Sequence, residues 1–226
     1  MAKELVYHLQ FADGRSESLR VVPPEPEPPV LPPWTDLGFE QCGNCPLTAA
    51  DSPTCPMAVR FVPLVKLFGR LHSYQDVEAR VETEERSVSK RTTVQRVLRS
   101  LMGLLAASSD CPRMTFLKPM AHFHLPFSTT EETIFRVVSS WLLAQYFRGK
   151  NGEALEPGLA GLKQNYRELQ QVNAAMAKRM NAIRVEDCDG AVNALVLLDL
   201  FAQSLPDSID HDLEELQPAF EKLLRA

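Results

Sequence analysis

The 226-residue chain lacks several features that would assign it to a familiar class of protein. No apolar stretch approaches the roughly 18 residues of a membrane-spanning helix; the longest candidate, AVNALVLLDLFA, contains Asn193 and Asp199. Positive charge is not in excess, since 24 Lys and Arg residues stand against 29 Asp and Glu residues, whereas a general nucleic-acid binder needs a concentrated basic surface. The motifs GxxxxGKS/T, GxGxxG, GxSxG and HExxH are absent. We therefore expect neither a membrane nor a nucleic acid as a partner.

Cysteine is scarce, and the count of five is odd. The first fifteen residues, MAKELVYHLQFADGR, interrupt every apolar run with a polar residue, which argues against a signal peptide. We therefore expect a cytoplasmic protein, in which thiols stay reduced and a disulfide framework does not form. Three roles remain for the thiols: metal ligation, redox catalysis and packing.

Two regions have the apolar–polar alternation of half-buried strands. Residues 4–11 alternate cleanly, and the Asp-Gly pair at 13–14 predicts a hairpin turn into a second strand, SESLRVV. The segment DVEARVETEER, which begins at residue 76, has the strongest strand pattern in the chain. We expect a small antiparallel sheet formed by the N-terminal hairpin and a strand near residues 76–85.

The rest of the chain is predicted to be largely helical. Apolar residues spaced three and four apart run from Leu159 to Ile183, and DGAVNALVLLDLFAQSL is apolar on almost every face. The basic segment SKRTTVQRVLR is interpreted as a solvated helix face, and Pro63 is expected to kink or split an early helix. Capping boxes that open two helices are predicted at Thr92 with Gln95 and at Ser128 with Glu131. The predicted fold class is α+β, predominantly helical, with a bundle of four or more helices.

Proline suggests how the chain is divided. Residues 23–33, PPEPEPPVLPP, contain seven prolines and favour an extended polyproline II segment. We predict an N-terminal β-hairpin over residues 1–22, a linker over 23–33, and a cysteine loop with a helical bundle over 34–226. The proline-rich arm is a stiff tether or, alternatively, a ligand for a partner's aromatic groove, which would make the protein a docking adaptor.

The segment FEQCGNCPLTAADSPTCP contains three of the five cysteines in the spacing C-x2-C-x9-C. A tight turn between two cysteines can direct both sulfurs at one ion, and the prolines that follow two of them restrict the loop. A fourth cysteine, again followed by proline, lies in SSDCPRM, between two predicted helices. The predicted metal ligands are Cys42, Cys45, Cys55 and Cys111, with His72, His122 and His124 as alternatives. Cys188 is excluded because it stands alone beside two aspartates at a predicted helix start.

The predicted ion is zinc in a tetrahedral site with sulfurs roughly 2.3 Å from the metal. An iron–sulfur cluster is the second choice, although the clusters of ferredoxin type have tighter cysteine spacing. Two further alternatives need no metal: buried cysteines that only pack, and a CxxC redox couple. The redox couple is less favoured because no strand-to-helix start surrounds the pair.

The segment PMAHFHLPF, residues 119–127, offers a second candidate site. On an extended backbone His122 and His124 would lie on one face and could chelate one metal, with Glu131 or Glu132 completing the set. This arrangement would support a metal-dependent enzyme with an open coordination position. The alternative is a pair of half-buried histidines that bond to backbone carbonyls.

Two asparagines interrupt apolar helices. Asn173 lies in the 159–183 stripe and Asn193 in the following helix. An unpartnered buried amide costs roughly 1–3 kcal/mol, so we expect both amides to be hydrogen-bonded and to specify helix register.

Several segments together, among them FEQCGNCPL, SLMGLLAASSDCP, LKPMAHFHLPFSTTEETIFR and NALVLLDLFA, resemble an uncharacterised bacterial family, a domain of unknown function. The resemblance runs from about Phe39 to Leu205 and implies that the cysteine loop, the second Cys-Pro pair and HFHLPF belong to one unit. The sequence alone therefore favours a cytoplasmic binding or regulatory module with a structural Cys-ligated metal, and does not specify its substrate, partner or oligomeric state.

Overall fold

The structure is a computed structural model that describes residues 4–21, 30–68, 71–156, 158–183 and 189–225. These ranges contain four strands, seven α-helices and two short 3-10 helices. In chain order the elements are β1 (Leu5–Phe11), β2 (Ser16–Val21), a 3-10 helix (Pro33–Thr35), α1 (Pro56–Phe68), β3 (Asp76–Glu82), β4 (Ser87–Thr93), α2 (Val94–Ser108), a second 3-10 helix (Pro112–Leu117), α3 (Lys118–His122), α4 (Thr130–Lys150), α5 (Ala160–Ala182), α6 (Gly190–Asp210) and α7 (Gln217–Leu224). The predicted α+β class, with helix predominant, is confirmed.

The strands form one antiparallel sheet in the order β2-β1-β3-β4. The N-terminal hairpin pairs with β3 as predicted, with Tyr7 opposite Val81. Alternate residues of β1 and β3 are buried on one face, and this face belongs to the same hydrophobic core as the helices. The other face carries polar groups such as His8 and Glu82, whose side chains lie 3.3 Å apart.

The fourth strand contradicts the interpretation of SKRTTVQRVLR as a helix face. Residues Ser87–Thr93 form β4 at the edge of the sheet, and the helix begins only at Val94. β4 is mostly exposed and carries Lys90 and Arg91, which suits an edge strand that must not pair with another chain. Because so few of its residues are apolar, the alternation that marks a strand is too weak to detect.

Both predicted capping boxes are misplaced. Thr93 precedes α2 without a side-chain cap, since the first amides of α2 instead donate to the carbonyls of Gln75 and Ser73 at 2.9 and 3.1 Å. At α4 the box is formed by Thr129 and Glu132, one residue after the predicted pair. The local sequence contains several overlapping capping-box patterns, and the position of the preceding loop determines which of them forms.

The helices pack in a bundle in which α5 and α2 both contact α6. α1 continues through Pro63 without a break, so the predicted split does not occur. α6 extends to Asp210, and α7 follows with Pro218 in its first turn. In the part of the chain that is described, no helix is both long and apolar enough to cross a membrane.

Two parts of the sequence analysis fall outside the described residues. Residues 23–29 of the proline-rich arm are not among the described residues, and neither are Asp187 and Cys188. The tether and docking roles of the arm therefore stay predictions.

Candidate metal centre and a neighbouring cavity

Four cysteines from three separate segments line one small cavity, which we term the cysteine cavity. Its volume is about 20 Å³, which is roughly the space that one water molecule or one ion occupies. Cys111 is buried and the other three are half-buried. The lining cysteines are Cys42, Cys45, Cys55 and Cys111.

Local backbone structure positions each of these cysteines. The amide of Cys45 donates to the carbonyl of Cys42 at 3.0 Å, which closes the turn of the C-x2-C pair. The amide of Cys55 donates to Thr35 at 2.7 Å, and its carbonyl accepts the first bond of α1 from Val59. Cys111 occupies the N-cap position of the 3-10 helix Pro112–Leu117.

The thiols influence one another electrostatically. Burial, together with negative charge on the other three sulfurs, raises the pKa of Cys42 to about 12. Burial also raises the pKa of Cys111, and the nearby backbone amides of Arg113 and Met114 reduce this rise. Amide donors of this kind stabilise a thiolate. The site therefore suits thiolate anions only if a cation offsets their mutual repulsion.

A buried arginine faces this cavity. The Arg179 side chain is 2% exposed and lines the cysteine cavity. Its guanidinium donates to the carbonyls of Trp34, Asp36 and Leu37 at 2.6 to 3.0 Å. Burial lowers the pKa of Arg179, and the thiolates of the neighbouring cysteines oppose this shift. None of the ion pairs found among the described residues includes Arg179. The potential counter-charges around this cavity are the cysteine sulfurs and the exposed Glu40 carboxylate.

The cysteine loop is fastened to the bundle by a second set of polar contacts. Arg113 donates to the carbonyl of Asn44 at 2.8 Å and forms an ion pair with Glu168 of α5. The Asn44 side chain donates to the backbone carbonyl of Glu168 at 2.9 Å. These contacts join the loop, the 3-10 helix that follows Cys111, and α5, so the elements around the cysteine cavity are held together without a metal.

The four cysteines are free thiols in this structure. Across the described ranges, no group of three or more Cys, His, Asp or Glu side chains is placed so that it could hold a metal ion. The structure thus brings the four predicted ligands to one cavity, while ligation itself stays a prediction.

The three histidines named as alternative ligands lie elsewhere, since no histidine is among the described residues that line the cysteine cavity. His72 stacks on Tyr74 with ring centroids 5.5 Å apart. His122 is exposed and contacts the edge of Phe123. His124 turns inward, where its Nε2 lies 2.6 Å from the Tyr7 hydroxyl.

The extended backbone assumed for residues 119–127 is wrong. Lys118–His122 forms the short helix α3, and the turn at Phe123 sends the next histidine toward the sheet. His122 and His124 therefore do not share one face. Pro119 allows this helix because it lies in the first turn, where the missing amide is not needed.

His124 borders a second and larger cavity of about 150 Å³, which we term the larger cavity. Its walls are mainly apolar side chains from α2, the 3-10 helix Pro112–Leu117, α5 and α6, with a few polar groups. The polar members are Arg99, Ser100, His124, Ser128, Thr130, Thr133, Arg136, Tyr166 and Asn173. No carboxylate occurs among the described residues of this lining.

The two asparagines are hydrogen-bonded, although not to each other. Asn173 is 5% exposed and its amide lies 3.5 Å from the Asp199 carboxylate, so it is buried as its place in the stripe predicts. Asn193 donates to Ser73 and Asp189 at 3.0 and 2.7 Å. Asn173 also lines the larger cavity, which its helix pattern does not indicate.

Burial, aided by the nearby Arg136 guanidinium, lowers the pKa of His124 from 6.5 to about 3. In the unfolded chain the histidine takes up a proton below pH 6.5, while the folded protein excludes it until about pH 3. Stability should therefore fall as the pH drops through this window, and we expect His124 to account for about 1–2 kcal/mol of the loss between pH 7 and pH 5.

Urea unfolding of His124→Gln at several pH values tests this expectation. Glutamine offers an oxygen that can accept from Tyr7 and has no titration in this range. The slope of unfolding free energy against pH should be flatter than in the parent, while His122→Gln, on an exposed side chain, should keep the parent slope. Equal slopes for His124→Gln and the parent would refute the assignment.

Sequence reasoning missed the arginines of both cavities. Arg179 lies three residues after Met176 and one before Met180, inside the buried arc of the 159–183 stripe. A charged residue at a buried position of a helix could have indicated a polar site from the sequence alone, because a buried charge needs partners. No comparable signal marks Arg99 or Arg136.

Comparison with curated proteins and with solved structures finds no match to this chain. A family model described as Domain of unknown function (DUF6901) matches residues 6–221. This range includes both cavities and all of the strands and helices described above, apart from the first residue of β1 and the last three of α7. The chain therefore belongs to the DUF6901 family.

Proposed function

We propose that this protein is a binding module whose cysteine loop is held by one structural metal ion, bound by Cys42, Cys45, Cys55 and Cys111. The observation that carries the proposal is the meeting of four thiols from three chain segments with a buried arginine around one cavity of ionic size. Zinc suits this donor set best, because four thiolates are a common ligand set of structural zinc sites.

The charge balance supports a metal more than it supports four neutral thiols. A divalent ion with four thiolates carries a net charge of about −2, which the Arg179 guanidinium would partly offset. With four protonated thiols, the buried guanidinium would be balanced by the exposed Glu40 carboxylate and by no charge on the sulfurs, a less favourable arrangement for a buried charge. The backbone amides near Cys111 also favour the anionic form.

Ligation requires the side chains to rotate toward one point, since the thiols do not hold that geometry as free groups. The three half-buried cysteines border a cavity that leaves room for such rotation. A metal would then connect the cysteine loop to the first residues of α1 and of the 3-10 helix Pro112–Leu117. Both of these elements continue into the wall of the larger cavity, through Met57 and Met114.

The alternatives receive less support. A redox couple at Cys42 and Cys45 needs a readily formed thiolate, whereas burial and its neighbours raise the pKa of Cys42 to about 12. A metal-dependent enzyme built on His122 and His124 lacks a common site, because one side chain is exposed and the other contacts Tyr7.

Elemental analysis of the protein purified without oxygen tests the proposal. We expect about one zinc per chain and no visible absorption, because zinc is colourless. Visible absorption together with bound iron would indicate an iron–sulfur cluster in place of zinc. Metal-free protein that stays metal-free after incubation with zinc, with all its thiols free to react, would refute the metal site.

A further inference from the structure

The larger cavity contains two cations that lack carboxylate partners. Arg99 donates to the backbone carbonyl of Ser128 at 3.4 Å, and Arg136 donates to the carbonyls of Met120 and Phe123 at 3.2 and 2.6 Å. No ion pair found among the described residues includes either arginine. Glu132 is near Arg136, but its carboxylate accepts the capping bond from Thr129.

A tyrosine hydroxyl in the same cavity also lacks a partner. Tyr166 is 3% exposed, lines the larger cavity, and makes no hydrogen bond within the described part of the chain. Its ring is held by edge contacts with Phe116 and Phe201, with centroids 5.4 and 6.0 Å away. The hydroxyl is not one of the fully buried, unpartnered polar atoms of the described residues, so it borders open space, and we take it as a donor available to a molecule bound in the cavity.

The rest of the lining is suited to an apolar body. Methionine, leucine, alanine and phenylalanine side chains form most of the wall, among them Leu104, Met120 and Leu198. A cavity of this volume accommodates a molecule about the size of benzene. Thr130 lines the cavity and is exposed, so the cavity reaches the surface there.

We infer that the larger cavity binds a small organic carboxylate with an apolar body, such as an aromatic acid, whose carboxylate is held by Arg136, Arg99 and the Tyr166 hydroxyl. Arginine binds a carboxylate through charge-assisted hydrogen bonds, and a low-polarity surrounding strengthens them. An inorganic anion would leave the apolar wall unfilled, and a neutral or cationic molecule would leave the two guanidinium groups without a counter-charge. This inference does not depend on metal binding by the cysteines.

Calorimetric titration of the full chain with benzoate tests the inference, with benzyl alcohol as a neutral probe and benzylamine as a cationic one. Benzoate should saturate one site per chain, benzyl alcohol should bind about tenfold more weakly or worse, and benzylamine should not bind, since a charged hydrogen bond of about 1.5–3 kcal/mol is lost. No benzoate binding, or equal binding of benzoate and benzyl alcohol, would overturn the inference.

Three variants locate the site. Arg136→Met should weaken benzoate binding about tenfold or more, while Arg148→Met, an exposed position on the same helix, should leave it unchanged. Tyr166→Phe keeps the ring contacts and removes only the unpartnered hydroxyl, so it should fold normally and weaken benzoate binding severalfold. If Arg136→Met proves unstable, Tyr166→Phe decides the matter: unchanged benzoate affinity in that variant would place the ligand elsewhere.

Discussion

Replacing Cys111 by serine is expected to remove bound zinc and to lower the free energy of unfolding by at least about 4 kcal/mol, the stabilisation that a ligand provides at a thousand times its dissociation constant. The Cys111 side chain makes no capping hydrogen bond to the 3-10 helix, and the Met114 amide donates to the Cys111 backbone carbonyl at 2.9 Å, a bond that serine at this position would keep. The loss would therefore report the metal rather than the local helix.

The measurement combines elemental analysis with urea unfolding of the parent and the variant. Cys188→Ser is the control for zinc content, because this cysteine is not among the proposed ligands, and the variant should bind as much zinc as the parent. If Cys111→Ser does not accumulate as folded protein, Cys45→Ser in the half-buried loop gives the same readout of zinc content. Unchanged zinc in both ligand variants would contradict the four-cysteine site.

Replacing Arg179 by methionine is expected to destabilise the fold by about 3–5 kcal/mol, comparable with the removal of one partner from a buried ionic network. The carbonyls of Trp34 and Leu37 would lose their donor in a buried environment, and each unsatisfied group carries a desolvation penalty. The Asp36 carbonyl would keep the bond from the Phe39 amide at 3.1 Å. The cysteine cavity would also lose the cation that faces its sulfurs, so zinc affinity should fall as well.

Urea unfolding and competition with a chromophoric zinc chelator measure the two effects. Lys178→Met, one residue earlier on α5 and exposed, controls for the loss of a positive charge and should change stability by less than about 0.5 kcal/mol. Arg179→Lys keeps the charge but cannot reach three carbonyls in the same planar arrangement, so an intermediate loss is expected. A loss below 1 kcal/mol in Arg179→Met would show that the buried guanidinium does not hold the segment in place.

The two cavities are close enough to share a wall. Met57 and Met114 line the larger cavity, and Met57 also lines the cysteine cavity. Each of these residues lies within three positions of a proposed ligand, Cys55 or Cys111. If both proposals hold, a metal that fixes the ligands would also fix the wall of the larger cavity, and metal content would then affect the affinity for the proposed organic acid.

The strand and helix patterns were predictable wherever an element buries one face. β1 and β3 alternate because one face of each packs on the core, and α5 shows its stripe because it packs against α6 along its length. β4 buries almost nothing and was missed, and the caps of α2 and α4 were misplaced because neighbouring loops, rather than local residues, decide which amides need a partner.

The sequence by itself determined the fold class, the hairpin, the stripe that buries Asn173, and the set of cysteines that line one cavity, because each of these depends on residue types and spacing along the chain. Only the tertiary structure decided that His124 turns toward Tyr7 while His122 faces solvent. It also decided that Arg179 lines the cysteine cavity, and that Arg99, Arg136 and Tyr166 line the larger cavity. These residues come from α2, α4 and α5, separated by tens of positions in the chain. Their meeting depends on how amphipathic faces pack against one another, which is a property of the whole core and leaves no local pattern around any one of them.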